Sequence, residues 1–291
     1  MISHWILAAR LKTLPVSVCP ILIALSLSSG LPTFDTTIAI ITLITAILIQ
    51  IGTNFANDYF DHIKGADTHE RVGPKRMTQA GHISPQTMKM ATYITFALAV
   101  LLGAYLVYYG GIAILLIGIA AVFFGVIYTA GPFALAYIGG AEIVAFAFFG
   151  PISVLGTYYL QSFSWNSDLI IISSAVGLIT VALLVVNNTR DIDTDKKVNK
   201  KTFAVRFGRL FSYLEYIICL YAPILLLDLV TNESTEQLIL LLTLVAIAMI
   251  LTRRFGKAKD QQFNQILAFT SLYLILFTAI TIYLLPNGIQ L

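Results

Sequence analysis

Two groups of carboxylate and carboxamide side chains are the part of the sequence best suited to chemistry. In the first group, Asn54, Asn57, Asp58 and Asp61 lie at positions i, i+3, i+4 and i+7. Side chains at these spacings share one face of an α-helix. If the segment is helical, that face carries several oxygen atoms of the kind that bind hard cations.

A second group of the same composition lies in the stretch from Asn187 to Asp195. Asn188, Asp191 and Asp195 occupy positions i, i+3 and i+7, which again predicts one helix face. Asp193 points away from that face, so we expect it to be solvated. A single carboxylate would be read most simply as a solvated helix end, but two groups with the same phase favour a shared binding function.

Clustered carboxylates repel one another and are costly near lipid, so they need a compensating positive charge. Mg²⁺ meets this need, because it binds oxygen ligands from one or two carboxylates together with water and substrate phosphates. Two such faces on either side of a cavity would hold a diphosphate through metal ions. Basic residues follow both groups and suit diphosphate oxygens. These basic residues are Lys64, Arg71, Lys75 and Arg76 after the first group and Arg190, Lys196, Lys197, Lys200 and Lys201 around the second.

The composition indicates that both groups belong to a membrane protein. Of the 291 residues, 58% are hydrophobic and only 11% are charged, whereas a soluble domain carries about 25% charged residues. The apolar runs are long and continuous, which predicts an all-α membrane protein rather than a β-barrel, with one domain over residues 1–291. A net charge of +3 is too small to suggest nucleic acid as a partner.

About nine apolar runs reach the ~20 residues that a transmembrane helix needs. The predicted spans are 14–30, 36–56, 89–108, 111–129, 141–161, 168–188, 210–230, 236–252 and 264–285. With this arrangement all 18 Lys and Arg residues lie on one side of the bilayer. The positive-inside rule then places the N-terminus and both Asn/Asp groups on the cytoplasmic side and predicts a multi-pass protein of the inner (cytoplasmic) membrane.

A diphosphate with a lipid tail explains why such a site would lie in a membrane protein. The head would bind at the cytoplasmic surface while the tail enters an apolar crevice between helices, as isoprenoid diphosphates require. Mg²⁺ would stabilise the leaving diphosphate, and a nucleophile would capture the remaining allylic cation. Aromatic faces can stabilise that cation. The tyrosines considered for this role are Tyr59, Tyr128 and Tyr137.

Several segments resemble the UbiA superfamily of intramembrane aromatic prenyltransferases, over nearly the whole chain. The segments that carry this resemblance are Ala9 to Pro15, Asn57 to Asp61, Tyr128 to Pro132, Tyr137 to Glu142, Asn187 to Asp195 and Lys200 to Val205. The resemblance implies a UbiA-type helical bundle and a Mg²⁺-dependent prenyl transfer.

Within that superfamily the sequence looks most like the branch that prenylates 1,4-dihydroxy-2-naphthoate in menaquinone biosynthesis. The features are Lys64-Gly-Ala-Asp67 after the first motif, the form Asn-Asn-x-Arg-Asp-Ile-x-x-Asp of the second motif, and the segment from Phe148 to Gln161. Many superfamily members have a first motif N-x-x-x-D-x-x-x-D, whereas here Asp67 comes two positions late. The branch shares this spacing, but the role of Asp67 as a direct metal ligand is left open.

The resemblance implies a polyprenyl diphosphate and 1,4-dihydroxy-2-naphthoate as substrates, with diphosphate and CO₂ as products. It assigns Asn57, Asp61, Asp191 and Asp195 to the metal and diphosphate site. Further positions suggested by the resemblance are Asp58 and Asp67 as metal ligands, Asn54 and Asn188 near the diphosphate, and Arg76, Arg190 and Lys201 at the diphosphate oxygens. For Glu142, which opens the fifth span, orienting the aromatic acceptor and a structural hydrogen bond are both open.

Two alternatives remain at this level. The same chemistry could act on another aromatic acceptor, such as 4-hydroxybenzoate, homogentisate or heme porphyrin, although the spacing after Asp61 argues against these. A secondary transporter is a more distant alternative. It would require charged residues and broken helices near the middle of the bilayer, whereas here the charged groups lie at the ends of the predicted spans.

Overall fold

The long apolar runs form helices that pack side by side. The computed structural model describes residues 2–65, 73–128, 130 and 134–286, and its regular structure over these residues is helical. The α-helices are α1 (Ile2–Ala9), α2 (Pro15–Ser28), α3 (Thr36–Ile63), α4 (Pro85–Ile127), α5 (Leu135–Ile138), α6 (Ala141–Ala147), α7 (Ser153–Ser162), α8 (Leu169–Arg190), α9 (Ile192–Lys197), α10 (Phe203–Asp228), α11 (Thr235–Lys257) and α12 (Gln262–Leu284). A short 3₁₀ turn, Leu11–Thr13, precedes α2, and a π-helical segment, Phe148–Ile152, joins α6 to α7.

Helix α8 lies at the centre of the bundle. Its sequence is apolar on all sides, and such a helix is stable only when its neighbours cover every face. Ile172, Val176, Ile179 and Val186 are fully buried, in a core that also includes side chains of α2, α10, α11 and α12. Because Asn188 and Arg190 occupy its last turn, the central helix presents the second Asn/Asp group at one end of the core.

Helix α4 is a helical hairpin rather than one straight helix. The backbone breaks at Gly111, where φ is 73° and ψ is −158°, a conformation that glycine adopts readily because it has no Cβ atom. Phe96 and Gly125 lie on opposite sides of this break, and a straight helix would separate them by about 44 Å. A Cβ atom at Gly125 would instead lie 3.7 Å from Cζ of Phe96, so the two arms fold back against each other.

The hairpin bears directly on the predicted number of spans. In the described part of the chain, seven helices are long and apolar enough to cross a membrane, and the bent pair Ile2–Thr13 and Pro15–Ser28, at 55°, adds one more candidate. When the two arms of α4 are counted separately, the helical segments correspond to the nine predicted spans. The all-helical membrane architecture is confirmed, while the number of crossings and the cytoplasmic N-terminus remain predictions.

The first Asn/Asp group lies in the last turns of a continuous helix, as expected from its spacing. Helix α3 begins after Asp35, whose carboxylate accepts hydrogen bonds from the backbone N–H groups of Thr37 and Ile38, and it ends at Ile63. Asn54 and Asp61 therefore both lie near the C-terminal end of α3.

The second group departs from the predicted continuous helix. Helix α8 ends at Arg190, Asp191 has φ −95° and ψ 8°, and α9 begins at Ile192. The backbone N–H of Asp191 still donates to the carbonyl of Asn187 at 3.1 Å, and that of Asp195 donates to the carbonyl of Asp191 at 2.7 Å. The prediction of one unbroken helix was therefore wrong at Asp191, although helix-type hydrogen bonds continue across the break.

A close approach of helices places α6 beside the end of α8. The π-helical segment contains Gly150 and Pro151, and proline cannot donate the backbone hydrogen bond of a regular α-helix. A Cβ atom at Gly150 would lie 2.6 Å from the carbonyl oxygen of Ser173, so only glycine allows this contact. The resulting approach lets Glu142, on α6, contact Asn188, on α8.

Candidate functional site

A buried ion pair lies at the end of α3. Nη2 of Arg76 is 2.9 Å from Oδ2 of Asp61, and both side chains are at least nine-tenths buried. Arg76 belongs to the segment between α3 and α4, so the pair fixes this segment to the helix. Two buried charges of opposite sign compensate each other, whereas either one left alone would be strongly destabilising.

Asp58 and Asn54 make structural contacts in this arrangement. The two carboxylate oxygens of Asp58 accept hydrogen bonds from the backbone N–H groups of Met77 and Thr78, each at 3.0 Å. Nδ2 of Asn54 donates to the carbonyl of Ala9 at 2.9 Å. These two residues thus hold the segments on either side of α3 in place, and the metal role predicted for Asp58 and the diphosphate role predicted for Asn54 remain predictions.

The second group is also built around a buried arginine. Arg190 donates from Nε and Nη2 to the two carboxylate oxygens of Asp191, at 2.8 and 2.7 Å, and from Nη1 to Oδ1 of Asn264, at 2.8 Å. A Cβ atom at Gly73 would lie 2.7 Å from Nη2 of Arg190. The segment that follows the first group therefore touches the arginine of the second.

Tyr137 connects the two groups. Its hydroxyl donates to Oδ1 of Asp61 at 3.3 Å, and two ammonium groups lie over its ring, Nζ of Lys64 at 4.5 Å and Nζ of Lys200 at 4.9 Å from the ring centroid. Lys200 is in turn 3.7 Å from Oδ1 of Asp195. A continuous set of polar and cation–π contacts thus runs from the first Asn/Asp group to the second.

The lysines around Tyr137 are placed by the loop after α9. Lys201, predicted to bind diphosphate oxygens, has an exposed side chain, and its backbone N–H donates to the carbonyl of Tyr137 at 2.9 Å. Lys200 rather than Lys201 faces the ring, a distinction that residue spacing in a non-helical loop does not reveal. Partial burial lowers the pKa of Lys64, Asp61 acts in the opposite direction, and Lys200 adds to the lowering.

Another buried carboxylate, that of Glu142, lies near the second Asn/Asp group. Oε1 of Glu142 accepts a hydrogen bond from Nδ2 of Asn188 at 2.6 Å, and the residue is only 4% exposed. Its other oxygen, Oε2, is buried and has no hydrogen-bond partner among the residues that the structure describes. Tyr128 follows the last residue of α4 and lines a cavity together with Val144 and Ala145 of α6, the helix that carries Glu142.

An apolar crevice opens next to Tyr128. It has a volume of about 130 Å³ and lies between α2, α3, the second arm of α4 and the α6–α7 segment. Its lining includes Gln50, Thr53, Phe124, Gly125, Phe148 and Tyr128. On α3 the lining residues lie on the turns just before Asn57, so the crevice extends the polar site into the apolar interior.

Tyr59 lies among packing contacts. Its ring makes an edge contact with Phe60, at 5.0 Å between centroids, and it packs against a small core that includes Phe55 and Met77. Its predicted role in stabilising a cation remains a prediction. Asp193 is confirmed as solvated, because 79% of its side chain is exposed and its ion pair with Arg209 is long, at 3.8 Å.

The predicted metal ligands do not form a preassembled acidic cage. Within residues 2–65, 73–128, 130 and 134–286, no group of three or more His, Cys, Asp or Glu side chains is placed to hold a metal ion. Asn57 and Asp195 are buried, while Asp61 and Asp191 are each paired with an arginine. These donors suit Mg²⁺, which binds through one or two carboxylates together with substrate phosphates. Asp67 lies outside the described residues.

Comparison with known proteins identifies the family. The chain is 39% identical over 210 residues to the 1,4-dihydroxy-2-naphthoate octaprenyltransferase of Escherichia coli (strain K12), covering 70% of this chain and 68% of that protein. It is 34% identical over 206 residues to the protein of the same name from Mycobacterium tuberculosis (strain ATCC 25618 / H37Rv), covering 71% and 70%.

The fold also matches a solved structure. A UbiA homolog from Archaeoglobus fulgidus bound to GPP and Mg²⁺ superposes with a TM-score of 0.66 at 16% identity, covering 96% of this chain and 99% of that one. This similarity confirms the predicted UbiA-type bundle. Residues 17–285 match the UbiA prenyltransferase family, and the chain therefore belongs to that family.

Proposed function

We propose that this protein transfers a polyprenyl group from polyprenyl diphosphate to 1,4-dihydroxy-2-naphthoate, with release of CO₂ and diphosphate, in menaquinone biosynthesis. The structural observation that carries this proposal is the contact series Asp61–Tyr137–Lys200–Asp195 beside an apolar crevice. It joins a site for a charged head group to a site for a lipid tail. The choice of acceptor rests on the names of the two relatives, which share more than 30% of their aligned residues with this chain.

The head group would bind between the two Asn/Asp groups. Asn57, Asp61, Asp191 and Asp195 would hold Mg²⁺, which when bound stabilises the negative charge of the departing diphosphate. Arg76 and Arg190 keep Asp61 and Asp191 compensated and oriented. Lys64 and Lys200 both lie over the ring of Tyr137, where their ammonium groups can contact further phosphate oxygens.

The prenyl tail would follow the crevice along α3. The lining residues Ala46, Ile49, Gln50 and Thr53 continue toward the N-terminus of the helix from Asn57. Asn57 follows Ala46 by eleven positions, which corresponds to about 16 Å along a helix. The tail would thus leave the head-group site and enter the apolar interior, consistent with an enzyme of the inner (cytoplasmic) membrane.

The aromatic acceptor would bind on the side of Tyr128 and Glu142. In the transfer the C–O bond to diphosphate breaks, and a C–C bond forms at the ring carbon that carries the carboxylate. The bond to that carboxylate then breaks, CO₂ leaves, and its electron pair restores the aromatic ring without a net proton change. Oε2 of Glu142, which is buried without a described partner, could accept a hydrogen bond from a naphthol hydroxyl after a small rotation.

The test is an assay of membrane fractions with Mg²⁺, a polyprenyl diphosphate and carboxyl-labelled 1,4-dihydroxy-2-naphthoate, in which released labelled CO₂ is measured. We expect Mg²⁺-dependent release that is abolished by Asp61→Ala and by Asp191→Ala. Asp193→Ala is a matched control, because it removes a carboxylate from the same stretch that is largely solvated.

Two outcomes would overturn parts of this proposal. If diphosphate were produced only with another acceptor, such as 4-hydroxybenzoate, the naphthoate assignment would be wrong while the prenyl transfer would stand. If no acceptor supported diphosphate release, the transferase proposal itself would fail.

A further inference from the structure

A groove on the outer surface of the bundle lies between α11 and α12, away from the crevice described above. It has a volume of about 260 Å³ and is almost wholly apolar. Ile247, Ile250 and Leu251 line it from α11, and Leu272 and Leu276 line it from α12. The stripe from Ile247 to Arg254 spans two helical turns, or about 10 Å, and offers an acyl chain an apolar surface along the helix pair.

One end of this groove carries a cluster of positive charge. Arg254 lines the groove and, together with Arg253 and Lys257, also lines an adjoining cavity of about 470 Å³. The guanidinium carbon of Arg254 lies 5.1 Å from the ring centroid of Phe269, which holds the side chain over the groove. All three basic side chains are exposed, and no ion pair joins them to a carboxylate in the part of the chain that the structure describes.

The opposite end of the same helix pair has the opposite character. A cavity there is lined by Glu236 and Tyr283, whose hydroxyl donates to the Glu236 carboxylate at 2.6 Å, and none of its lining residues among those described is basic. The helix pair therefore has a cationic end and an acidic end. An anionic head group is favoured at the cationic end and disfavoured at the acidic end, so only one leaflet of the bilayer would supply the lipid.

The basic end lies at the same end of the bundle as the Asn/Asp groups. Asn264, in the first turn of α12, accepts the hydrogen bond from Arg190 at the end of α8. Arg254 and Lys257 are placed at the neighbouring end of α11. By the charge distribution of the sequence this is the cytoplasmic side, where anionic lipids attract basic residues.

We propose that α11 and α12 bind one anionic glycerophospholipid, with an acyl chain in the groove and the phosphate at Arg253, Arg254 and Lys257. The charge complementarity favours an anionic head group over a zwitterionic one. A prenyl diphosphate with Mg²⁺ fits this surface less well, because no carboxylate among the described residues lines the groove or the adjoining cavity to hold the metal ion. The proposal is independent of the identity of the aromatic acceptor.

Native mass spectrometry of the purified full-length protein tests this site. The protein is released from detergent micelles that contain equal amounts of phosphatidylglycerol and phosphatidylcholine, and bound lipids are counted by mass. We expect one phosphatidylglycerol to be retained in preference to phosphatidylcholine. Arg254→Gln and Lys257→Gln should each weaken this binding about tenfold, since each removes one charge-assisted contact to phosphate.

Matched controls separate this site from general surface charge and from the substrate site. Lys89 is also exposed and lies 5.8 Å from the ring of Tyr93, but it belongs to α4 rather than to the α11–α12 pair, so Lys89→Gln should leave lipid retention unchanged. Leu272→Trp, at a lipid-facing position, should block the groove and reduce retention without removing charge. A second variant thus remains informative if one fails to fold.

Four results would overturn the proposal. These are equal retention of both phospholipids, full retention in both Arg254→Gln and Leu272→Trp, an equal loss in Lys89→Gln, and complete displacement by inorganic phosphate or by geranyl diphosphate. Displacement by inorganic phosphate would show a simple anion site, and displacement by geranyl diphosphate would show a second substrate site.

Discussion

Tyr137 allows the connection between the two Asn/Asp groups to be tested quantitatively, because its ring and its hydroxyl make different contacts. Tyr137→Phe removes only the hydroxyl, which donates to Asp61 at 3.3 Å. This distance is longer than the usual 2.5–3.0 Å for O–H···O hydrogen bonds, so the loss should be about 0.5–1 kcal/mol. The expected decrease in rate is therefore about two- to fivefold.

Tyr137→Leu removes the ring as well. The ring contacts the ammonium groups of Lys64 and Lys200, and each cation–π contact contributes about 0.5–1 kcal/mol at a partly exposed site. Together with the hydroxyl the loss should be about 2 kcal/mol, or roughly thirtyfold in rate. We therefore expect the leucine variant to be clearly less active than the phenylalanine variant.

The assay is Mg²⁺-dependent release of labelled CO₂ at saturating and at low polyprenyl diphosphate. The effect of the leucine variant should be larger at low substrate, because the two lysines are proposed to contact the diphosphate. Tyr93→Leu is the control, since it removes a cation–π contact with Lys89 at an exposed position on α4. If the phenylalanine variant lost as much activity as the leucine variant, the hydroxyl would take part in the chemistry and the present interpretation of the ring would be refuted.

Three further predictions concern the supports of the site. Asp58→Ala should lower the free energy of unfolding by about 3 kcal/mol, because two backbone N–H groups lose a charged acceptor; an unchanged thermal midpoint in detergent would contradict this. Arg76→Gln leaves Asp61 buried without its arginine and should lower the free energy of unfolding by about 3–5 kcal/mol. Added Mg²⁺ should raise the thermal midpoint of this variant more than that of the wild type, and equal shifts would argue against metal binding at Asp61. A Cβ atom at Gly125 would lie 2.7 Å from Oγ1 of Thr53, so the side chain of a Gly125→Val variant should narrow the crevice. The rate of transfer from long-chain diphosphates should then fall more than the rate from geranyl diphosphate, and an equal change in both rates would place the tail elsewhere.

The sequence alone predicted the architecture well, because helical periodicity and hydropathy are local properties. The run of apolar residues through α3 and the phase of Asn54 to Asp61 depend only on neighbouring residues, and the structure has this helix from Thr36 to Ile63. The break at Asp191 was not predicted, since periodicity does not show where a helix that carries suitable side chains ends. The fold-back at Gly111 was anticipated as two separate spans, because a continuous 43-residue helix would be far longer than a bilayer is thick.

The partners of the site residues were decided only by the tertiary structure. Asp58 and Asp61 are nearly equivalent in the sequence, yet one accepts backbone hydrogen bonds from the segment at Met77 and the other pairs with Arg76 and contacts Tyr137. Lys200 and Lys201 are adjacent, and the course of a non-helical loop determines which one reaches the site. Such contacts join residues tens of positions apart, and their geometry depends on how whole helices pack. Local spacing can assign a residue to a helix face, but it carries no information about which distant segment that face will meet.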